Sequence, residues 1–343
     1  MTTKTDYDVV IVGAGLTGLQ AGISFASDGT KVLIVDKKGV GGQAGESSLI
    51  RNLLGFKNGV SGKELAEAGL SQAYDFGAEF RVPFEVQRII PYTDGTFTVV
   101  ADNHERISCK SVLLATGVQY RPLPARNCSL FVNRGVNYGS PSLEPARWQG
   151  KRVGVVGGAN SAAQAAWYLA ERCAPCKVHM LVRGAQVNEQ MSEYMAGDIM
   201  SSPNIQIQLE TEIQEVFGDS EGFKGVMLQK KGSTELERLE LDQLFILIGA
   251  TPHTAWVDGQ VALDERGFIY TDRDIPKGVW TQERLPHTHE TSVPGVFAAG
   301  DVEWGSVKRA SSAIGAGSSV TPNIRRYLAE QRQRQLAASK TVV

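Results

Sequence analysis

The chain has 343 residues, 42% of them apolar, which is enough for about two domains of ordinary size, each able to bury a core. Its 35 basic and 37 acidic residues leave a formal charge of -2, so there is no electrostatic basis for binding nucleic acid or an anionic membrane surface. No stretch approaches the roughly 20 apolar residues of a membrane span. The N-terminus carries no leader pattern, and four cysteines are too few for a disulfide scaffold; a cytoplasmic protein with reduced thiols is expected.

Along the chain, one supersecondary unit occurs twice. The first copy is "YDVVIVGAGLTGLQAGISFASDGTKVLIVDKK" and the second "KRVGVVGGANSAAQAAWYLAERCAPCKVHMLVRG". Each opens on a β-branched run suited to a strand buried on both faces, turns on glycines, continues with small and apolar residues at helical spacing, and returns as a strand. This is the βαβ unit of a dinucleotide-binding fold, so the fold class is α/β with two Rossmann-like domains. In the first copy Gly13 permits the tight turn, Gly15 lets the backbone approach a pyrophosphate, and Gly18 lets helix and strand pack closely. Asp36 ends the second strand, where a carboxylate accepts from an adenosine ribose.

Four further segments follow in order. They are "GVGGQAGESSLIRNLLGF" from Gly39, "LLATGVQYRP" from Leu113, "FILIGATPHT" from Phe245 and "VPGVFAAGDV" from Val293. Together with the first fingerprint they resemble the flavin-binding architecture of the pyridine nucleotide-disulfide oxidoreductases, of the thioredoxin reductase type, over nearly the whole chain. The resemblance implies a nucleotide domain inserted into a flavin domain: residues 1–122 and 252–343 form the FAD-binding domain, and residues 123–251 the NAD(P)H-type domain. It implies FAD contacts from Gly13, Gly15, Gly18, Asp36, Gly41, Gly42, Gln43, Asn52, Thr116, Gly117, Gly300 and Asp301, the last meeting the ribitol chain. Lys308 and Arg309 stand where the family meets the flavin ring, and the amides of Arg309 and Ala310 are expected to bond the pyrimidine carbonyl. A homodimer is implied as well.

The chain departs from that pattern in two regions. In the second fingerprint, Gly157, Ala159 and Ala162 with Asn160 between them, a methyl at Ala159 crowds the pyrophosphate position. Beyond the next strand, Arg183 is the one arginine left of a 2'-phosphate pattern, with Asn188 at its last place. The site is read as NADPH or NADH binding, with a second FAD, or a vestigial site, as alternatives. The other departure is at Gly139, Ser140, Pro141 and Ser142, where the family carries its redox Cys-x-x-Cys. Serine cannot replace a sulfur pair that closes a ring and accepts two electrons.

A Cys-x-x-Cys does occur at Cys173 and Cys176, but it follows the second repeat's helix, at whose C-terminus the dipole disfavours a thiolate. Cys109 and Cys128 read as packing residues, His287 and His289 as part of a solvated loop, and the basic "RRYLAEQRQRQLAASK" as a solvated helix. No metal set is completed. The reading is a FAD-dependent oxidoreductase passing electrons between NAD(P)H and an unidentified acceptor, a redox protein such as ferredoxin or a thiol protein, without an internal disulfide at the usual position. The alternatives are a disulfide oxidoreductase using Cys173 and Cys176 or a second flavin, and a flavin-bearing sensor.

Overall fold

The computed structural model describes residues 5–47, 50, 52–139, 141, 145–187 and 193–341. The chain divides into two compact units, one of Met1–Gln119 with Thr251–Val343 and one of Tyr120–Ala250.

The first unit begins with β1 (Tyr7–Val12), α1 (Leu16–Ser27), β2 (Val32–Val35), the short α2 (Gly42–Gly45), α3 (Gly62–Asp75), β3 (Glu79–Arg81), β4 (Val86–Pro91), β5 (Phe97–Ala101) and β6 (Arg106–Leu114). The strand sequences YDVVIV and VLIV are buried almost throughout, as β-branched runs covered on both faces should be. α3 starts at a capping box, in which the Ser61 hydroxyl accepts from the Glu64 amide while the Glu64 carboxylate reaches back to the Ser61 amide. The chain leaves through β7 (Val118–Tyr120) and returns through β16 (Ala250–Pro252), which pair with each other.

Between those crossings the second unit contains β8 (Val136–Tyr138), α4 (Pro145–Trp148), β9 (Arg152–Val156), α5 (Asn160–Arg172), β10 (Lys177–Leu181), α6 (Glu193–Ser201), β11 (Ile205–Gln208), β12 (Thr211–Asp219), β13 (Gly222–Lys230), β14 (Leu236–Glu240) and β15 (Gln243–Ile246). After β16 the first unit is completed by β17 (Val296–Ala298) and the long α7 (Ala310–Thr341).

The first unit's seven-stranded sheet runs β3-β2-β1-β6-β5-β4, with β17 also paired to β6. β6 is long enough for two partners in series: residues 106–109 pair antiparallel with β5, and residues 112–114 pair parallel with β17. The register Val9 to Val32 and Val9 to Ser111 sets β1 parallel between β2 and β6. α1 and α7 cover one face, with Phe25, Phe297, Val320, Ile324 and Tyr327 in a common core. In the second unit a five-stranded parallel sheet of order β11-β10-β9-β15-β8 stands beside the antiparallel β12-β13-β14. Both units are thus parallel sheets of dinucleotide-binding type, and in each the turn after the first βαβ strand lies at the carboxyl edge, where ligands of such sheets bind.

Candidate functional site

The turn from β1 into α1 is built from glycines whose requirements differ. Gly13 has φ 114°, and a Cβ there would stand 2.2 Å from the Ala115 carbonyl oxygen. A Cβ on Gly18 would stand 1.9 Å from the Gly13 oxygen. Both glycines are therefore demanded by the protein's own packing. Gly15 is not: it caps α1 in extended conformation at φ -72°, and a Cβ there would meet no atom within 4 Å. What it keeps clear is the space in front of a helix N-terminus that no side chain caps.

Three other segments converge on this turn, and each brings a buried polar atom without a partner among the described residues. Ala115 packs on Gly13, and the next residue carries the orphaned Thr116 Oγ1. Gly42 lies against Gly15, with the Gly41 amide donating to the Ala14 oxygen at 2.8 Å, and the next residue carries the orphaned Gln43 Oε1. Gly300, at φ 83°, packs its bare Cα on Thr17 in the first turn of α1, and the next residue carries the orphaned Asp301 Oδ1. Burial without a hydrogen bond pushes the Asp301 carboxyl up to about 6, against the pull of the nearby Lys308 ammonium. Buried polar atoms left unpaired are rare because each costs free energy. Three of them belong to residues next to the segments packed on this turn, which makes it the candidate ligand site.

At one end of the site Asp36 holds the loop after β2: its carboxylate accepts from the amides of Ala14 (2.9 Å), Lys38 (2.8 Å) and Gly39 (3.1 Å). A carboxylate has about four acceptor positions, so capacity for a ribose hydroxyl remains. His253, not singled out from the sequence, belongs to this edge; burial and then Lys37 and Lys38 hold its pKa below the ordinary value, against Asp36. Nothing local in "TPHT" signals that, because the crossing strands create the proximity. Gly117, at φ 64°, takes the His253 amide on its carbonyl.

At the other end, the Lys308 ammonium lies 4.4 Å from the Phe268 ring centre and is bonded to Ser306; burial lowers its pKa, while Asp301 and Asp264 raise it. Of the expected pair of amide donors, the Arg309 amide donates to the Val307 oxygen at 2.9 Å, and Ala310 is the first residue of α7. Asn52 is exposed and makes no hydrogen bond among the described residues.

In the second unit, the β9 to α5 turn repeats the geometry with different side chains. Gly157 has φ 140°, and a Cβ there would stand 2.5 Å from the Leu247 oxygen. Ala159 caps α5 at φ -106°, ψ 174°, the extended conformation of Gly15, so its methyl projects where the first turn is open. Ala162 is fully buried and takes the close-packing position of Gly18. Asn160 starts the helix on its exposed side, and Arg183, past β10, is exposed without a partner among the described residues. Asn188 lies outside the described residues.

Of the segment expected to stand where the family has its redox pair, Ser140 and Ser142 lie outside the described residues, and Pro141 is buried. Gly139 has φ 91°, and a Cβ there would come within 3.2 Å of the Tyr120 hydroxyl. Cys173 and Cys176 are buried free thiols in the core under α5. Burial pushes Cys173 up and Cys176 up to about 12, the latter with added repulsion from Cys173 and Asp242, which is the environment of inert rather than reactive cysteines.

The histidine loop is corrected. His287 and His289 are not solvated, with side chains 9% and 14% exposed; His287 meets Glu330, and Glu290 is fully buried in a bidentate pair with Arg284 at 2.7 Å. The basic helix is not wholly solvated either, since Arg325 is tied to Asp28 and to the Ser24 oxygen, and Tyr327 is buried.

A family model described as pyridine nucleotide-disulphide oxidoreductase matches residues 7–317. The chain belongs to this family. Its fold is that of thioredoxin reductases: the enzyme from Giardia duodenalis superimposes with a TM-score of 0.82 at 27% identity over 94% of this chain and 99% of that one. The enzyme from Streptococcus pyogenes gives 0.81 at 25%, over 94% and 98%. The thioredoxin reductase of Borreliella burgdorferi is 32% identical over 298 residues, 86% of this chain and 84% of its own. The NADPH-dependent thioredoxin reductase 3 of Arabidopsis thaliana is 31% identical over 331 residues, 94% of this chain. The chain spans 58% of the latter and 60% of the F component of the alkyl hydroperoxide reductase of Staphylococcus epidermidis. Family membership implies FAD and NAD(P)H, and the open turn with its orphaned polar atoms fits a flavin dinucleotide. Among the described residues no helix is long and apolar enough to cross a membrane.

Proposed function

We propose that this chain is a FAD-dependent oxidoreductase that moves electrons between NAD(P)H and an external acceptor without an internal disulfide at the family's usual position. The reading assigns FAD to residues 1–122 with 252–343, and a nicotinamide nucleotide to residues 123–251. The observation that carries it is the convergence of Gln43, Thr116 and Asp301, each with a buried unpartnered oxygen, on the glycine turn at Gly13 and Gly15. In this reading the uncapped start of α1 and Gly15 receive the pyrophosphate, Asp36 the ribose, Asp301 the ribitol hydroxyls, and the Ala310 amide the ring carbonyl. Bound FAD supplies the two-electron centre that takes hydride from a nicotinamide. The protein's part is to hold and orient: the polar groups of the dinucleotide would give the three orphaned oxygens hydrogen-bond partners.

The relatives named for thioredoxin and for alkyl hydroperoxide suggest thiol or peroxide-linked acceptors. Gly139, Pro141 and the serines beside them lack sulfur, so electrons pass directly to whatever acceptor reaches the flavin, a redox protein such as ferredoxin included. Ala159 and the lone Arg183 favour a weak preference between NADPH and NADH, or a second FAD in place of either. The test is cofactor content followed by anaerobic addition of each nucleotide. One FAD per chain, bleached within seconds by NADPH or NADH, is the expected result. Two flavins per chain would replace the nicotinamide assignment, and a single flavin bleached by neither nucleotide would overturn the enzyme reading in favour of a sensor.

A further inference from the structure

Away from the glycine turns, three side chains distant in sequence form a hydrogen-bonded line. The Ser319 Oγ, on the exposed side of α7, lies 2.6 Å from Nε2 of His289. Nδ1 of the same ring lies 3.0 Å from each carboxylate oxygen of Glu303, and the Thr271 hydroxyl donates to Glu303 Oε1 at 2.6 Å. The arrangement is held from behind. His289 has a left-handed φ of 66°, and its carbonyl accepts from the Ala298 amide of β17 at 2.9 Å, while the Glu303 amide donates to Gly300 at 3.0 Å. A non-glycine residue kept in that conformation is strain that surrounding structure must enforce, and such strain clusters at functional positions. With the carboxylate at Nδ1, the tautomer that carries its proton there turns the Nε2 lone pair on the serine hydroxyl, which also lies 3.3 Å from the Ala316 oxygen. Nucleophile, base and orienting acid thus stand in hydrogen-bonding order.

We infer that Ser319 is a nucleophilic serine, with His289 as its general base and Glu303 as the orienting carboxylate, and that it accepts acyl groups from activated esters. In the first step Ser319 Oγ bonds to the acyl carbon as its proton passes to His289 Nε2. The bond to the leaving oxygen breaks, and the leaving group departs with that proton. Water then attacks the acyl-serine, giving its proton through His289 back to Ser319 Oγ and releasing the carboxylic acid. Ser319 stands inside α7, so its own amide belongs to the helix ladder and supplies no oxyanion donor. Lack of one such donor costs about 10²- to 10³-fold in rate, which restricts the substrates to esters with good leaving groups.

The experiment treats the flavin-loaded full chain with a fluorophosphonate probe and locates the adduct by peptide mass, with the neighbouring exposed Ser318 as internal reference. The expected result is an adduct on Ser319 formed about 10²-fold faster than on Ser318, the scale of general-base assistance. Ser319→Ala should lose the adduct, Ser318→Ala should label as the unaltered protein does, and His289→Gln should slow labelling about 10²-fold at unchanged flavin content. Labelling of Ser319 no faster than of Ser318 in the unaltered protein overturns the inference and requires no variant to fold. Full-rate labelling of a well-folded His289→Gln protein overturns it as well.

Discussion

At the scale of single residues, Asp301 and the fingerprint glycines make opposite demands on the fold and the ligand. The Asp301 carboxyl stands at about 6 in the folded chain against 3.8 when free, so its ionisation works against the folded, flavin-free state. The sign follows from the order of the two values: the cost is absent below the free value, grows as pH rises through about 6, and is fully present above it, at about 2 to 3 kcal/mol. Asp301→Asn should therefore raise the melting temperature of flavin-free protein relative to the unaltered chain by an amount that widens from pH 4 to pH 7, while lowering FAD occupancy. A difference that is flat with pH would mean the carboxyl is solvated. Gly15 and Gly18 separate the same two demands. Gly15→Ala places its methyl in open space and should leave flavin-free stability within about 0.5 kcal/mol yet reduce FAD retention on gel filtration. Gly18→Ala drives a methyl onto the Gly13 oxygen and should cost about 1 to 3 kcal/mol whether or not FAD is present.

Among the elements, α5 and α7 show how helix ends and faces decide the fate of reactive side chains. Cys173 follows α5 and Cys176 precedes β10, both sealed in the core beneath that helix. Putting hydroxyls there without partners costs about 1 to 3 kcal/mol each. The Cys173→Ser, Cys176→Ser double variant should therefore melt earlier, with flavin reduction by nucleotide unchanged in rate and extent. All four thiols are buried, so a disulfide reagent should label none of them quickly until denaturant is added. Rapid native labelling of Cys173 or Cys176, or loss of turnover at intact flavin content, would restore a redox role. α7 is fastened at residues 325–330 by Glu330 on Arg284, itself paired with the buried Glu290, by Arg325 on Asp28, and by Tyr327 in the core. That explains why a sequence with so many charges is not simply a solvated helix.

For the whole molecule, the consequence of Gly139 to Ser142 is a count of electrons. A chain with FAD and a disulfide takes up four; this chain is expected to reach full bleaching in anaerobic dithionite titration at two per FAD, with no new titratable thiols and no turnover of thioredoxin in a coupled disulfide assay. Uptake of four would show a sulfur pair in communication with the flavin. The two βαβ units, the glycine turns and the family were legible in the sequence, because strand runs, turn glycines and helical spacing are local patterns whose period states the element. Gln43, Thr116 and Asp301 could be named from motif resemblance, but that their oxygens are buried without partners depends on Ala115, Gly42 and Gly300 packing onto one turn from three separate segments. The Arg309 amide is a related case: a sequence does not say which donor a turn consumes. His289, Glu303 and Ser319 are separated along the chain by a strand and part of a helix and share no periodic signal. The sequence by itself determined the elements and their repetition, since those follow from neighbouring side chains; only the tertiary structure decided which polar groups are left unpaired and which are aligned, since burial and hydrogen-bond partnership are properties of contacts between segments far apart in the chain.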